Sequence, residues 1–177
     1  ETGVYMNRNQ ATGVSASRSP ELLAKFIDAL LKKHSRGGDE ESSLDESLDA
    51  AMIVFKYIED RDYFQKFYAK FLSRRLVSFA SASTDAEESM IARLKEACGF
   101  EYTSKIQRMF TEAGLSKELN DRFQESGMQQ NKELSFYSFV LTSGVWPLQA
   151  PQTDFLVPAE LQLSLIHISE PTRRYAI

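Results

Sequence analysis

Apolar residues recur at spacings of three and four through most of residues 19–126, and this period predicts a series of amphipathic helices. Ser19 and Pro20 suit a helix start, because Ser is a favoured N-cap and Pro is tolerated in the first turn. After Asp60, a broad apolar stripe over 61–78 predicts the central helix. The positions expected to face inward on these two helices are Leu22, Leu23, Phe26, Ile27, Leu30 and Leu31, and Tyr63, Phe64, Phe67, Tyr68, Phe71, Leu72, Leu76 and Val77.

Two pairs with capping-box spacing predict two further helix starts. Ser43 with Glu46 opens one helix, and Thr84 with Glu87 opens another, which Gly99 is expected to end. Their inward positions are expected to be Leu48, Met52, Phe55 and Ile58, and Met90, Ile91, Leu94 and Cys98.

Two shorter helices are predicted to complete the bundle. One begins at Thr103 and stops near Gly114, and the other is capped by Ser116. Their inward positions are expected to be Ile106, Met109 and Phe110, and then Leu119 and Phe123.

The period changes to two over residues 134–142, where aromatic and β-branched side chains alternate, and this predicts a strand. A lone strand leaves its backbone donors and acceptors unpaired, so its partners are expected in a later part of the protein or on another protein. The fold class predicted is therefore mainly α: an antiparallel helical bundle followed by one β-strand.

Composition limits the chemistry that this chain can perform. Apolar residues make up 42% of the 177 residues, enough for a core, and the formal net charge of −4 argues against a surface built throughout for nucleic acid. The single cysteine, Cys98, excludes an internal disulfide framework and a cysteine-based zinc cage. No apolar run has the length needed to span a bilayer, and no secretory leader is recognisable.

Catalytic constellations are not recognisable in the sequence. His34 lies beside a Gly pair in a polar linker and is interpreted as a solvated residue, while Cys98 lies on an apolar helix face and is interpreted as a small core residue. The carboxylate pairs fall in linkers or at helix starts, where negative charge is favourable. No catalytic, cofactor-binding or metal-binding residue is therefore predicted.

Two features have both a structural and a functional interpretation. Lys66, Lys70 and Arg74, with Arg75 adjacent, form a basic edge on the central helix. This edge is either a solvated face that shields the aromatic stripe or a docking site for an acidic partner. Trp146, beside Pro147, is either a partner anchor or a core residue that closes the strand.

The last fifteen residues, 163–177, look foreign to the rest of the chain. The run LSLIHISEPTR resembles the conceptual translation of a sequencing adapter; the alternative is a native strand, because its apolar residues alternate. Residues 1–18 are polar and predicted to be a connecting segment, and the initial Glu1 suggests a start within a longer protein.

Four stretches closely resemble the cullin family, most of all its cullin-1 type, and the likeness extends from about Asn7 to Gln162. They are SPELLAKFIDALLKK, MIVFKYIEDRDYFQKFYAKFLSRRLV, DAEESMIARLKEACGFEYTSKIQRMF and LTSGVWPL. The resemblance implies that 1–18 is a linker or the end of a preceding cullin repeat, and that 19–126 is the helical bundle of the cullin homology region. Residues 127–162 would begin a truncated α/β subdomain.

The resemblance also implies a function: a non-catalytic scaffold of a cullin–RING ubiquitin ligase, without a cofactor, in the cytoplasm and nucleus. Its partners would be a RING-box protein, a ubiquitin-conjugating enzyme and, through repeats not present here, a substrate-receptor adaptor; neither nucleic acid nor a membrane is expected. The family presents a basic surface to acidic tails of some conjugating enzymes, and Lys66, Lys70, Arg74 and Arg75 are candidates for part of it. The alternative is a free-standing helical adaptor that binds an acidic partner.

Overall fold

The structure is a computed structural model that describes residues 18–32, 41–126 and 137–148. These residues contain five α-helices, and the prediction of a mainly α fold is confirmed. They are α1 (Ser19–Leu30), α2 (Glu41–Lys56), α3 (Arg61–Val77), α4 (Thr84–Cys98) and α5 (Phe100–Glu125).

Helix α3 is the central element, because it packs against both α1 and α5. Helix α2 contacts α1 and α4, and α4 in turn packs on α5, so that one continuous apolar core forms between the helices. On α3 the core line is Phe64, Tyr68 and Leu72, which are fully buried and spaced by four residues as a helix requires. The ring centres of Phe64 and Phe55 of α2 lie 4.9 Å apart in an edge-to-face arrangement.

On three helices, some of the residues that were predicted to face inward are exposed. Tyr63 of α3, which was predicted to face inward, is 52% exposed. The same prediction is wrong for four residues of the first and last helices. Those four exposed residues are Leu22 and Phe26 of α1 and Leu119 and Phe123 of α5. Helix α1 is rotated so that Leu23 and Ile27 face the core, and this rotation also buries the carboxylate of Asp28.

The predicted helix starts are also corrected in detail. Ser83, not Thr84, is the N-cap of α4, and its hydroxyl accepts the backbone N–H of Ala86 at 3.0 Å. Glu87 does not complete a capping box, because its carboxylate binds a buried arginine instead. Helix α1 has Arg18 at its N-cap position, and α2 begins at Glu41, before the predicted pair of Ser43 and Glu46.

Helix α5 is one continuous helix where two short helices were predicted. Gly99, with φ of 85°, ends α4 and is also the N-cap of α5, so only one residue separates them. The predicted start at Thr103 and stop near Gly114 are both wrong, since these residues lie within the helix. A glycine inside a helix costs only about 1 kcal/mol relative to alanine, which packing along 26 residues outweighs.

The predicted strand at 134–142 is not confirmed. In its described part, 137–142, the backbone forms no ladder with any other described segment. Alternate N–H groups of this segment instead donate to side chains of α5, as detailed below. Residues 1–17, 33–40, 127–136 and 149–177 lie outside the described residues, so the domain boundaries and the foreign origin of 163–177 stay predictions.

Candidate functional site

The predicted basic edge lies on the exposed side of α3. Lys66, Lys70 and Arg74 are all exposed there, one helical turn apart. The Nζ of Lys66 lies 5.2 Å from the ring centre of Tyr63, so this exposed aromatic ring is part of the same surface. A docking role for the edge stays a prediction.

A shallow groove of about 360 Å³ adjoins this edge. Lys70, Ser73 and Arg74 of α3 form one wall, and Pro147 with Leu148 forms the other. The groove therefore combines two cationic side chains with an apolar wall, and its second wall belongs to the segment that follows the helical bundle.

Arg75 does not belong to the basic edge. Its side chain is fully buried, and its guanidinium binds carboxylates of two other helices. Nε and Nη2 donate to the two carboxylate oxygens of Glu87 at 2.7 and 2.9 Å, and Nη1 donates to Asp28 at 2.6 Å. The three charges join α1, α3 and α4 in the interior of the bundle.

Further contacts complete this ion network. Lys32 binds the second oxygen of Asp28 at 2.7 Å, and the Ser81 hydroxyl donates to Glu87 at 2.8 Å. Burial by itself would lower the pKa of Arg75, but the hydrogen bonds and charge of Glu87, with those of Asp28, outweigh burial and raise it. The guanidinium therefore stays charged. Its hydrogen-bond geometry is that of a structural ion pair rather than of a reactive group.

Three polar side chains on α5 hold the segment 137–142. The amide oxygen of Asn120 accepts the N–H of Ser138 at 2.9 Å, and the hydroxyl oxygen of Ser116 accepts that of Val140 at 3.0 Å. Glu112 accepts the N–H of Thr142 at 3.0 Å. We call Glu112, Ser116 and Asn120 the polar row.

Glu112 is the most heavily bonded member of the polar row. It also accepts the Thr142 hydroxyl at 2.5 Å, the indole N–H of Trp146 at 2.7 Å and Nε of Arg108 at 3.0 Å. Partial desolvation favours the neutral acid, but the bonds from Thr142, Trp146 and Arg108 outweigh it and lower the pKa of Glu112 to about 2. The carboxylate is therefore ionised over the physiological range.

Trp146 is a core residue, as one of its two interpretations held, although the strand that it was expected to close is not confirmed. It is buried and belongs to the same apolar cluster as the helices, with only its indole N–H engaged by Glu112. Cys98 is half-buried against this cluster, as expected for a small apolar residue. His34 lies outside the described residues.

The described residues contain no group of three or more His, Cys, Asp and Glu side chains that could hold a metal ion. Among these same residues, no helix combines the length and apolar character needed to cross a bilayer.

Sequence reasoning missed the ion network and the polar row. Glu87 was assigned to a capping box and Asp28 was given no role, because local patterns cannot show that both carboxylates meet Arg75. The polar row did leave a signal, because Glu112, Ser116 and Asn120 recur every fourth residue and so share one face of α5.

The described residues thus form a helical block with a buried ion network, an exposed basic edge on α3 and one groove beside that edge. Comparison with known proteins identifies its family: the cullin alpha solenoid domain matches residues 2–120. The chain belongs to the cullin family and is cullin-1-like.

Similar proteins include cullins of several eukaryotes. The chain is 51% identical to Cullin-1 of Dictyostelium discoideum over 163 residues, covering 89% of this chain and 21% of that protein. It is 44% identical to Cullin-1 of Schizosaccharomyces pombe over 156 residues, covering 88% of this chain and 20% of that protein. Cullin-2 of Caenorhabditis elegans is 46% identical over 146 residues, which cover 79% of this chain and 18% of that protein. The chain thus spans about a fifth of the length of these relatives.

Proposed function

We propose that this chain is a non-catalytic scaffold segment of a cullin–RING ubiquitin ligase. In this role it rigidly links the substrate-receptor arm of the scaffold to the end that carries the RING-box protein and the ubiquitin-conjugating enzyme. Family membership supports the class of complex, and an intracellular site of action, cytoplasmic and nuclear, belongs to the same proposal.

The observation that carries the rigid-linker role is the ion network around Arg75. It ties three helices together inside the apolar core, where relative sliding of the helices would separate charges in a poorly hydrated interior. A scaffold that holds two bound partners at a fixed separation increases their effective concentration, and this proximity accelerates transfer without any chemistry by the scaffold.

The scaffold role is tested in a chimera of Cullin-1 from Dictyostelium discoideum in which this chain replaces the matching segment. We expect the chimera to co-purify with a RING-box protein and to support ubiquitin transfer. Arg75→Ala should reduce transfer because it releases the three helices that the ion network joins, whereas Arg122→Ala, at an exposed position of α5 outside the basic edge, should change transfer little. A chimera that folds but neither binds the RING-box protein nor supports transfer would contradict the proposal.

Within this function, we propose that Lys66, Lys70 and Arg74 dock an acidic segment of a ligase partner. Three exposed cations at one-turn spacing, two of them lining a groove with an apolar wall, suit a chain that carries both carboxylates and an apolar side chain. The same surface would serve the alternative function, a helical adaptor for an acidic protein.

Charge reversal tests the docking role. Lys70→Glu with Arg74→Glu in the chimera should slow transfer most at low salt, because added salt screens exposed charges. Lys105→Glu with Lys117→Glu, at exposed positions of α5, is the control of equal charge. Equal transfer rates for both double variants at low salt would eliminate the docking role. Binding of an acidic peptide by the isolated chain, together with a chimera inactive in transfer, would instead favour the adaptor.

A further inference from the structure

We propose that the polar row of α5 is a clasp that receives residues 137–142 as the edge of a β-sheet would, and thereby fixes the direction in which the chain leaves the helical bundle. This inference concerns how the segment is positioned, and it stands independently of the ligase function proposed above.

The residue spacing along a helix is close enough to that along a strand for the polar row to bond to the segment at a few successive positions. We call each of these bonded positions a rung. Residues four apart on a helix are separated by about 6 Å along its axis. Alternate residues of a strand are separated by roughly 6.6–6.8 Å. The mismatch over three rungs is therefore only about 1.5 Å, which side chains of different length absorb. The row uses a long Glu, a short Ser and an intermediate Asn.

The order of the rungs shows a matched, antiparallel alignment. Ser138, Val140 and Thr142 bond to Asn120, Ser116 and Glu112 respectively, so the segment advances two residues as α5 recedes by four. Asn120 reinforces its rung, because its amide nitrogen also donates to the carbonyl oxygen of Ser138 at 2.7 Å.

The side chains of the segment select this register. Leu141 packs against the helical core, and the ring centre of Phe139 lies 5.7 Å from that of Phe79. Val140, between them, points away from the core and is 55% exposed. A slip by one residue would exchange these faces, placing apolar side chains in water, and would also misplace every N–H bonded to the row.

The final rung sets the exit direction. Glu112 bonds both Thr142 and Trp146, and so closes the turn in which Val145 donates its N–H to the carbonyl oxygen of Thr142 at 3.3 Å. Gly144 occupies a left-handed conformation there, with φ of 79°. The turn is followed at once by Pro147 and Leu148, which it places beside Lys70 and Arg74. Glu112 is thus a positioning residue for the groove wall.

A distance measurement between two spin labels tests the exit direction. Labels at Lys105→Cys on α5 and at Leu148→Cys, in the 177-residue chain with Cys98→Ser, should give one narrow distance distribution. Glu112→Ala should broaden it, and Glu112→Gln, which keeps an acceptor oxygen, should restore much of the narrow population. Glu118→Ala is the matched control, since Glu118 is an exposed carboxylate of the same helix. A distribution that stays narrow in Glu112→Ala, or that broadens as much in the control, would overturn the clasp.

Amide exchange tests the individual rungs. Loss of one rung should raise exchange about 5-fold at the amide it holds, since one hydrogen bond contributes about 1 kcal/mol. Glu112→Ala should act mainly on Thr142, and Asn120→Ala mainly on Ser138, while amides of α3 keep their protection. If Glu112→Ala disrupts α3 as well, Asn120→Ala decides the question. Unchanged exchange at Ser138 in that variant would refute the proposal.

Discussion

Arg75 and Glu87 form a two-bond ion pair inside the bundle, with Nε and Nη2 of the guanidinium 2.7 and 2.9 Å from the two carboxylate oxygens. The residues belong to α3 and α4, and the free side of the guanidinium reaches Asp28 of α1. Paired geometry of this kind is the strongest that an arginine and a carboxylate can adopt. It explains how these three charged residues can lie buried in the interior of the bundle.

Arg75→Ala should destabilise the chain by about 3–5 kcal/mol, because it leaves the buried Glu87 without a cation and Asp28 with Lys32 alone. Urea unfolding followed by circular dichroism measures the change. Arg74→Ala, at the adjacent exposed position, is the matched control and should change the unfolding free energy little. Similar losses of unfolding free energy for the two variants would show that the buried ion pair of Arg75 contributes no more to stability than an exposed arginine does.

Acid should weaken the fold partly through Glu112. Because its pKa in the folded chain, about 2, lies below the ordinary value of 4.5, the ionised carboxylate stabilises the fold. That contribution is complete above pH 4.5 and is lost as the pH falls towards 2. The expected loss is up to about 3 kcal/mol.

Comparing unfolding free energies at pH 6 and pH 3 tests this expectation. The original chain should lose more stability over this interval than Glu112→Gln, which has no proton to take up at this position. The single tryptophan, Trp146, bonds directly to Glu112, so its emission reports the same event. The control variant Glu118→Gln should lose as much stability between pH 6 and pH 3 as the original chain does. Equal acid losses in the chain and in Glu112→Gln would disprove the assignment to Glu112.

Periodicity predicted which segments are helical and, for most of them, which side is buried. Phe64, Leu72, Met90 and Leu94 are fully buried as expected, because apolar side chains at helical spacing must find a common core. Periodicity could not fix the rotation of α1, since Asp28 faces inward only because a partner 47 residues away neutralises it.

The candidate site was predicted in part for the same reason. Lys66, Lys70 and Arg74 share an exposed face because four-residue spacing is a local property of a helix. Whether Arg75 is buried or exposed depends on two carboxylates in other helices. The contacts of the polar row join donors and acceptors that are 18–30 residues apart in sequence. Such pairings follow from the tertiary arrangement and have no short-range pattern.

The orientation of α3 buries Phe64 and exposes Tyr63, so truncating these two adjacent aromatic residues should cost very different amounts of stability. Phe64→Ala should cost about 3–5 kcal/mol, because it leaves a cavity in a fully buried site. Tyr63→Ala should cost less than about 1 kcal/mol, since its exposed ring contributes mainly the contact with Lys66. Urea unfolding distinguishes the two variants. A large cost at Tyr63 would show that it faces the core, as its place in the apolar stripe had suggested.

Glycine substitutions test the continuity of α5. Gly114→Ala should stabilise the chain by about 1 kcal/mol, because alanine is the better helix former and its Cβ would meet no atom within 4 Å. Gly99→Ala, where φ is +85°, should instead destabilise it, since a side chain is strained in that conformation. Thermal unfolding of both variants measures the two signs in one experiment. If Gly114→Ala destabilised the chain as Gly99→Ala does, the helix would break at Gly114 after all, and the polar row on either side of that residue would lose its common face.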